Sequence, residues 1–149
     1  MRKRGKLIKH KAAAAPCVMN QVILPGYEIQ LQMALQAFRF GHAEPSHYLS
    51  LEDAMDMMRV AIELFPQQRP DPSTQAATEA ALIALQNIYE RYTDTGKLGC
   101  SSAELQVLHL LVETSRDYWS RRSGALYIAA FEQLEKVRAW QKKQQEKAA

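Results

Sequence analysis

The amino-acid sequence predicts an all-α protein, a compact antiparallel bundle of about five helices behind a flexible basic N-terminal arm. From Tyr27 onward, apolar residues recur three and four positions apart, which is the spacing of one helix face. Helix start and stop residues stand between these apolar runs. No stretch of any length alternates apolar and polar residues, as a half-buried strand would. Short links between helices are typical of antiparallel neighbours, so we expect a bundle.

A single domain accounts for the length and composition. The chain has 149 residues, of which 47% are hydrophobic and 23% charged, and these are ordinary values for a globular domain. We place that domain at residues 27–149 and assign residues 1–26 to the basic arm and an irregular approach segment, which the pair Pro25-Gly26 closes. No stretch reaches the roughly 18 apolar residues of a membrane span, and no apolar signal region follows the first charges. We therefore expect a cytoplasmic protein.

The first two predicted helices are separated by a polar linker. The first begins near Tyr27 and stops before Gly41, a residue that tolerates the left-handed backbone of a helix end. The second follows Ser50, an N-cap candidate, and ends before Pro66. Their apolar faces are Leu31, Ala34, Leu35 and Phe38 in the first helix and Leu51, Met55, Met58, Ile62 and Phe65 in the second. Met57 lies off this face, so we expect it to be exposed.

The third helix has the strongest start signal. Asp71 followed by Pro72 provides an N-cap with proline at the first helical position, and Gly96 is a suitable residue just beyond the end. We therefore predict a helix over residues 72–95. Its apolar face is Ala77, Ala81, Ala84, Leu85, Ile88 and Tyr92.

Two more helices complete the bundle. Ser101 and Glu104 form a capping box ahead of the fourth, and a break at residues 120–124 precedes the fifth, which runs to about residue 145. The fourth helix is apolar over most of its circumference, so we expect it to be central. The apolar faces are Leu105, Leu108, Val112 and Trp119 in the fourth helix and Tyr127, Ala130, Phe131, Leu134 and Val137 in the fifth.

Both ends of the chain are basic, while the stretch between them is mildly acidic. A basic run can bind a polyanion, address a protein or keep it soluble, and an address is largely excluded because no apolar signal region follows. We expect an arm that adds affinity for RNA, DNA or an acidic partner, or that only keeps the chain soluble. The candidate contacts to a polyanion or partner are Arg2, Lys3, Arg4, Lys6, Lys9, Lys11, Arg121, Arg122, Trp140, Lys142 and Lys143.

Trp140 is the most informative of these residues. Counting about 100° per residue, it lies about 120° away from the centre of the fifth helix's apolar face. It stands among the cations Arg138, Lys142 and Lys143. A tryptophan in this position can anchor a partner or stack on a base, or it can pack under the N-terminal segment.

We predict no catalytic, metal or cofactor site. His42, Glu44 and His47 could gather a divalent metal, but Pro45 interrupts the spacing and we interpret them as polar groups of a linker. His109 is interpreted as a histidine at the core margin rather than a general base. The two cysteines, Cys17 and Cys100, lack the paired spacing of a zinc site and are expected to be reduced. No nucleophile motif or phosphate-binding loop is present in the sequence.

Four stretches together resemble a known family. They are the "MRKRGK" start, the "LSLEDAMDMMRVAIEL" helix, the "ALQNIYERYTDTGKLGCSSAELQVLHLLVE" segment and the basic helical end. These are similar to small all-helical proteins encoded by bacteriophages and prophages of proteobacteria. The resemblance spans most of the chain and carries no catalytic residue. It implies an accessory protein that acts inside a bacterial host cell by binding and blocking or redirecting a host component.

The function we expect is therefore non-catalytic. The leading hypothesis is a protein that binds a host protein or nucleoprotein complex, for example as an inhibitor of a defence system such as an anti-CRISPR. The alternative is a nucleic-acid-binding protein that uses its basic termini, although no helix-turn-helix with a basic recognition helix is present in the sequence.

Overall fold

Five α-helices make up nearly all of the chain that the computed structural model describes, which is residues 24–64 and 71–149. In chain order they are α1 (Leu24–Arg39), α2 (Pro45–Leu64), α3 (Pro72–Thr95), α4 (Ser102–Ser120) and α5 (Gly124–Ala148). These two ranges contain no β-strand. The all-α fold predicted from the sequence is confirmed. None of the described helices combines the length and the apolar character needed to cross a bilayer.

The ends of α3 and α4 follow the local signals in the sequence. α3 begins at Pro72, although the side chain of its N-cap residue Asp71 forms no capping hydrogen bond, and it ends at Thr95. Gly96 follows as the C-cap, with a φ of 69° in the left-handed region that glycine adopts without strain. At the start of α4 the Glu104 backbone N–H donates to the Ser101 hydroxyl (3.2 Å), and the Ser101 backbone N–H donates to the Glu104 carboxylate (2.7 Å). The predicted capping box is therefore present. Arg91 of α3 donates to the same carboxylate and links the two helices.

The starts of α1 and α2 differ from the prediction. α1 begins at Leu24, three residues before Tyr27, and includes Pro25, because the first turn of a helix needs no proline N–H. α2 begins at Pro45, so the N-cap prediction for Ser50 is wrong. The Glu44 backbone N–H donates to Nδ1 of His47 (2.9 Å), so a capping hydrogen bond forms at this start, ahead of Ser50. Ser50 lies inside the helix and donates to the Ser46 carbonyl (3.0 Å).

Two hydrophobic cores hold the helices together. The first lies among α1, α2, α3 and α4 and consists of Leu31, Ala34, Leu35, Phe38, Leu51, Ala54, Met55, Ala81, Leu85, Ile88, Leu108, Leu111 and Val112. The second lies among α2, α4 and α5 and consists of Met57, Met58, Ala61, Tyr118, Trp119, Ala130 and Leu134. Tyr27 of α1 packs against both cores. It contacts Tyr127 edge-on at 6.1 Å between ring centroids.

α2 and α4 lie at the centre of the bundle. α2 packs against each of the other four helices. α4 packs against α1, α2 and α3, and its Tyr118 and Trp119 share the second core with α5, in agreement with the prediction that the fourth helix is central. Met57 is only 2% exposed, so its predicted exposure is wrong. The reason is the second core, which buries Met57 and Ala61 of α2 together with Met58 of the predicted apolar face.

Burial of Met57 leads to a stability prediction. Replacing Met57 by Ala should lower the free energy of unfolding by about 2–5 kcal/mol, because it leaves a cavity in the second core. Met33 is the matched control, since it is 61% exposed on α1 and its replacement by Ala should change stability by less than about 0.5 kcal/mol. Urea unfolding followed by circular dichroism measures both. Equal effects of the two substitutions would contradict the placement of Met57.

Candidate interaction surfaces

The C-terminal end of α5 extends beyond the bundle. Every residue from 139 to 149 is exposed, and the last side chain with a partner on another helix is Arg138. Its guanidinium donates to Asp53 (2.5 Å) and Asp56 (3.2 Å) of α2. At 1.5 Å rise per residue, the helix from Ala139 to its end is about 15 Å long. No described residue outside α5 forms a hydrogen bond or an ion pair with this segment.

Trp140 lies on this projecting segment and is 62% exposed. Lys136, Lys143 and Lys147 stand four residues before it and three and seven residues after it, so they share its side of the helix. Lys142, two residues from Trp140, lies on the opposite side. We call the surface of Trp140, Lys136, Lys143 and Lys147 the tryptophan face. Lys136 and Lys147 were not among the predicted contacts, although their spacing from Trp140 marks them.

The exposed apolar surface of α5 extends beyond Trp140, because the bundle buries only a few residues of this helix. Of the apolar residues predicted to be buried, Ala130 and Leu134 are buried, whereas Phe131 and Val137 are exposed. Their predicted burial is wrong because they lie outside the strip of α5 that Ala130 and Leu134 bury against α2 and α4. Val137, one turn before Trp140, therefore adds apolar surface beside the indole.

The other predicted contacts do not join this face. Arg121 pairs with Asp117 (3.1 Å), and Arg122 lies over the Tyr118 ring at 3.5 Å from its centroid. Both precede the start of α5, which puts them about 24 Å from Trp140 along the helix axis. Arg2, Lys3, Arg4, Lys6, Lys9 and Lys11 lie outside the described residues. The predicted contact residues that the structure describes are thus divided between the two ends of α5.

A groove between α2 and α3 forms a second surface, which was not predicted from the sequence. It encloses about 470 Å³, and its walls include Tyr48, Leu49 and Glu52 of α2 and Gln86, Tyr89 and Glu90 of α3. The α2 residues are spaced one turn apart on one side of the helix, and so are those of α3. Among the described residues that line the groove, two are glutamates and none is Lys, Arg or His. We call it the tyrosine groove.

The tyrosine walls of the groove are fixed by contacts between the helices. The Tyr48 hydroxyl donates to the Leu85 carbonyl of α3 (3.2 Å). The Tyr48 and Tyr89 rings lie 6.2 Å apart between centroids at an interplanar angle of 35°. Burial, with a smaller effect of the nearby Glu52 carboxylate, raises the pKa of Tyr48 to about 12. Tyr48 is therefore a neutral phenol at physiological pH.

Glu52 supplies a half-buried carboxyl group to the groove. Burial raises its pKa, and the neighbouring Asp56 adds to the rise, while Arg138 opposes it. The Arg138 guanidinium is already bonded to Asp53 and Asp56. No hydrogen bond to the Glu52 carboxylate is formed by the described residues. A cation in the groove would therefore find a carboxylate available to pair with it.

The residues considered for metal or thiol chemistry do not assemble into a site in the described part of the chain. No group of three or more His, Cys, Asp and Glu residues in residues 24–64 and 71–149 is arranged to hold a metal. His47 belongs to α2 rather than to a linker, and its Nδ1 caps the helix. His109 and Cys100 are partly buried, and burial raises the pKa of the Cys100 thiol, which makes it less reactive. Cys17 lies outside the described residues.

Two surfaces of opposite charge thus stand out on the described bundle, the cationic tryptophan face and the anionic tyrosine groove. Comparisons with protein-family models, with curated proteins and with solved structures found no match to this chain.

The attachment of α5 leads to a second prediction. Replacing Arg138 by Gln should lower the free energy of unfolding by about 1–2 kcal/mol, because Asp53 and Asp56 lose a charge-assisted partner in a partly exposed position. It should also increase hydrogen exchange of the α5 backbone amides relative to those of α3. Lys142→Gln removes the same charge from the same helix at a site with no ion pair, and should change stability by less than about 0.5 kcal/mol. Equal stability of the two variants would show that the bond to α2 does not hold α5.

Proposed function

We propose that this protein is a non-catalytic accessory protein of the phage or prophage kind, which binds a protein or nucleoprotein complex of a bacterial host cell. Inhibition of a host defence system is the specific form of this function that we favour. The observation that carries the proposal is the exposure of Trp140 on a helix end that leaves the bundle. The sequence resemblance to phage-encoded proteins supports the cellular setting.

An exposed tryptophan is a strong anchor for a partner. A tryptophan side chain can bury 150–250 Å², roughly, on binding, and tryptophan is enriched among the residues that carry most of the energy of protein interfaces. Since the indole is 62% exposed on a segment to which no described residue outside α5 bonds, a partner can cover it without breaking a hydrogen bond or ion pair of the bundle. The mode of binding is a helix laid into a groove, with Val137 and Trp140 as apolar anchors one turn apart.

The lysines around Trp140 define the charge of the partner. Lys136, Lys143 and Lys147 would lie at the edge of such an interface, where opposite charges increase the association rate and exclude partners of like charge. The partner should therefore present an apolar pocket with an acidic rim. Acidic proteins of this kind include those that imitate or occupy nucleic-acid sites, as well as acidic faces of larger complexes.

A capture experiment tests this function. Immobilised protein is incubated with a proteobacterial lysate treated with nuclease, and the recovered proteins are quantified for wild type, Trp140→Ser and Phe40→Ser. Phe40 is the matched control, because its ring is 63% exposed and lies far from α5 in the sequence. We expect one partner to be retained by wild type and Phe40→Ser and reduced at least about tenfold by Trp140→Ser.

The capture result can also contradict the proposal. If the two variants recover the same proteins in the same amounts, or if the folded wild type recovers nothing reproducible, the tryptophan face is not a protein-binding surface. Circular dichroism of each variant separates this outcome from loss of folding. Trp140→Ser should leave the helical signal unchanged, since no described residue packs over the indole closely enough to bury it.

Direct binding of single-stranded nucleic acid is a second candidate function, and the same face favours it. An aromatic ring flanked by cations is the arrangement on which unpaired bases stack while the lysines contact phosphates. The described end of α5 supplies one ring and three lysines on one side of a helix. The basic residues 1–11 would add phosphate contacts.

Salt dependence tests the second function. Affinity for a labelled 20-nucleotide oligomer is measured by fluorescence anisotropy at several salt concentrations. Substituting Lys136, Lys143 and Lys147 by Gln should reduce the slope of log K against log salt by about 2, at about 0.7 per phosphate contact on a single strand. Lys142→Gln is the control on the opposite side of α5. Removal of residues 1–11 should reduce the slope further, and an unchanged slope in all variants would exclude this function.

A further inference from the structure

The tyrosine groove has the chemistry of a site for an organic cation. Its volume of about 470 Å³ falls within the range of small-ligand and side-chain pockets, roughly 300–1,000 Å³. Tyr48 and Tyr89 present π faces, which attract an ammonium or guanidinium group. Glu52 and Glu90 supply negative charge at the same place, and no described lining residue opposes it.

The groove is also open at one side. Tyr89 is 54% exposed and Leu49 is 52% exposed, so both lie at the rim rather than in the floor. Tyr48 is held in the floor by its hydrogen bond to the Leu85 carbonyl. A side chain can therefore enter from an extended chain that passes across the rim. A lysine or arginine fits this shape, since its apolar stem would lie along Leu49 and Tyr89 while its charge reaches the glutamates.

We propose that the tyrosine groove is a second binding site, which takes a lysine or arginine side chain from a basic peptide segment of a partner protein. The argument is charge complementarity between a cationic side chain and a groove with two carboxylates and two aromatic walls. This site is independent of the tryptophan face, which is cationic and selects acidic partners. The two surfaces therefore recognise partners of opposite charge.

Glu52 is the residue that we expect to contribute most. Its carboxyl group is half-buried, and a charge-assisted hydrogen bond formed away from bulk water is stronger than one formed on an exposed surface. A cation beside the Glu52 carboxylate would also stabilise its charge in place of the water that burial excludes. Glu90 is more exposed and would mainly increase the association rate.

The experiment is an NMR titration of the ¹⁵N-labelled full chain with the peptide acetyl-Gly-Ser-Lys-Arg-Lys-Ser-Gly-amide. The amides of residues 45–52 and 86–92 should shift together, and the peptide in which the three basic residues are Gln should produce no such shifts. The double variant Glu52→Gln, Glu90→Gln should weaken binding at least about tenfold. The control is the double variant Glu79→Gln, Glu113→Gln, which removes the same charge from exposed positions outside the groove and should bind like wild type.

Several outcomes would overturn the proposal. Equal loss of affinity in the two double variants would show only a general attraction of a basic peptide to the bundle. Equal binding of the Gln peptide, or of tetramethylammonium as tightly as the basic peptide, would assign the groove to a different ligand. The wild-type protein could also prove to self-associate. If both the double variant Glu52→Gln, Glu90→Gln and the single variant Lys143→Gln abolish that association, the groove binds the tryptophan face of a second copy.

A further variant keeps the test decisive if Glu52→Gln affects folding. Tyr89→Leu preserves an apolar wall but removes the π face, and Tyr89 is exposed enough for the bundle to tolerate it. Tyr89→Leu should weaken the basic peptide several-fold through the lost cation–π contact. The shifts that remain should still map to the groove. A Tyr89→Leu variant that binds as tightly as wild type would exclude the aromatic contribution.

Discussion

The structure depends on α2 being buried on two sides. Leu51, Ala54 and Met55 belong to the first core, and Met57, Met58 and Ala61 belong to the second. A helix that serves two cores must carry apolar residues around more of its circumference than one face, and α2 does so with flexible methionines that fit irregular spaces. Without α2, α5 would lose its main packing partner, and only α4 and Tyr27 would join the second core to the first.

The same helix separates the charges that produce the two surfaces. Asp53 and Asp56 of α2 accept hydrogen bonds from Arg138, which fix α5 against the bundle. The positive charge of Arg138 is therefore paired within the protein. Glu52, one position before Asp53, lines the groove toward α3 instead. One acidic stretch of sequence therefore both binds Arg138 and lines the groove, since successive residues on a helix point about 100° apart. The end of α5 beyond Arg138 is left to present Trp140.

The parts of the fold that sequence predicted well are those with local causes. The Asp71–Pro72 start, the Gly96 end and the Ser101–Glu104 capping box depend on residues within one turn of each other, and the structure contains all three helix ends. Ser50 failed as an N-cap because Pro45 and His47 provide an earlier start. Local signals do not show which of two possible starts a helix uses, since packing of the added turn decides between them.

The features that sequence could not predict are produced by packing between distant segments. Nothing near Met57 indicates that α4 and α5 cover its side of α2, and nothing near Tyr48 indicates that Tyr89 will lie beside it. The groove exists only because α2 and α3 meet at this register. Trp140 is the opposite case: its position off the apolar face of α5 is local information, and the indole is exposed as that position indicates. A residue that departs from the helix pattern at the helix end is therefore exposed in this protein, whereas a residue that departs from it within the bundle, such as Met57, is buried.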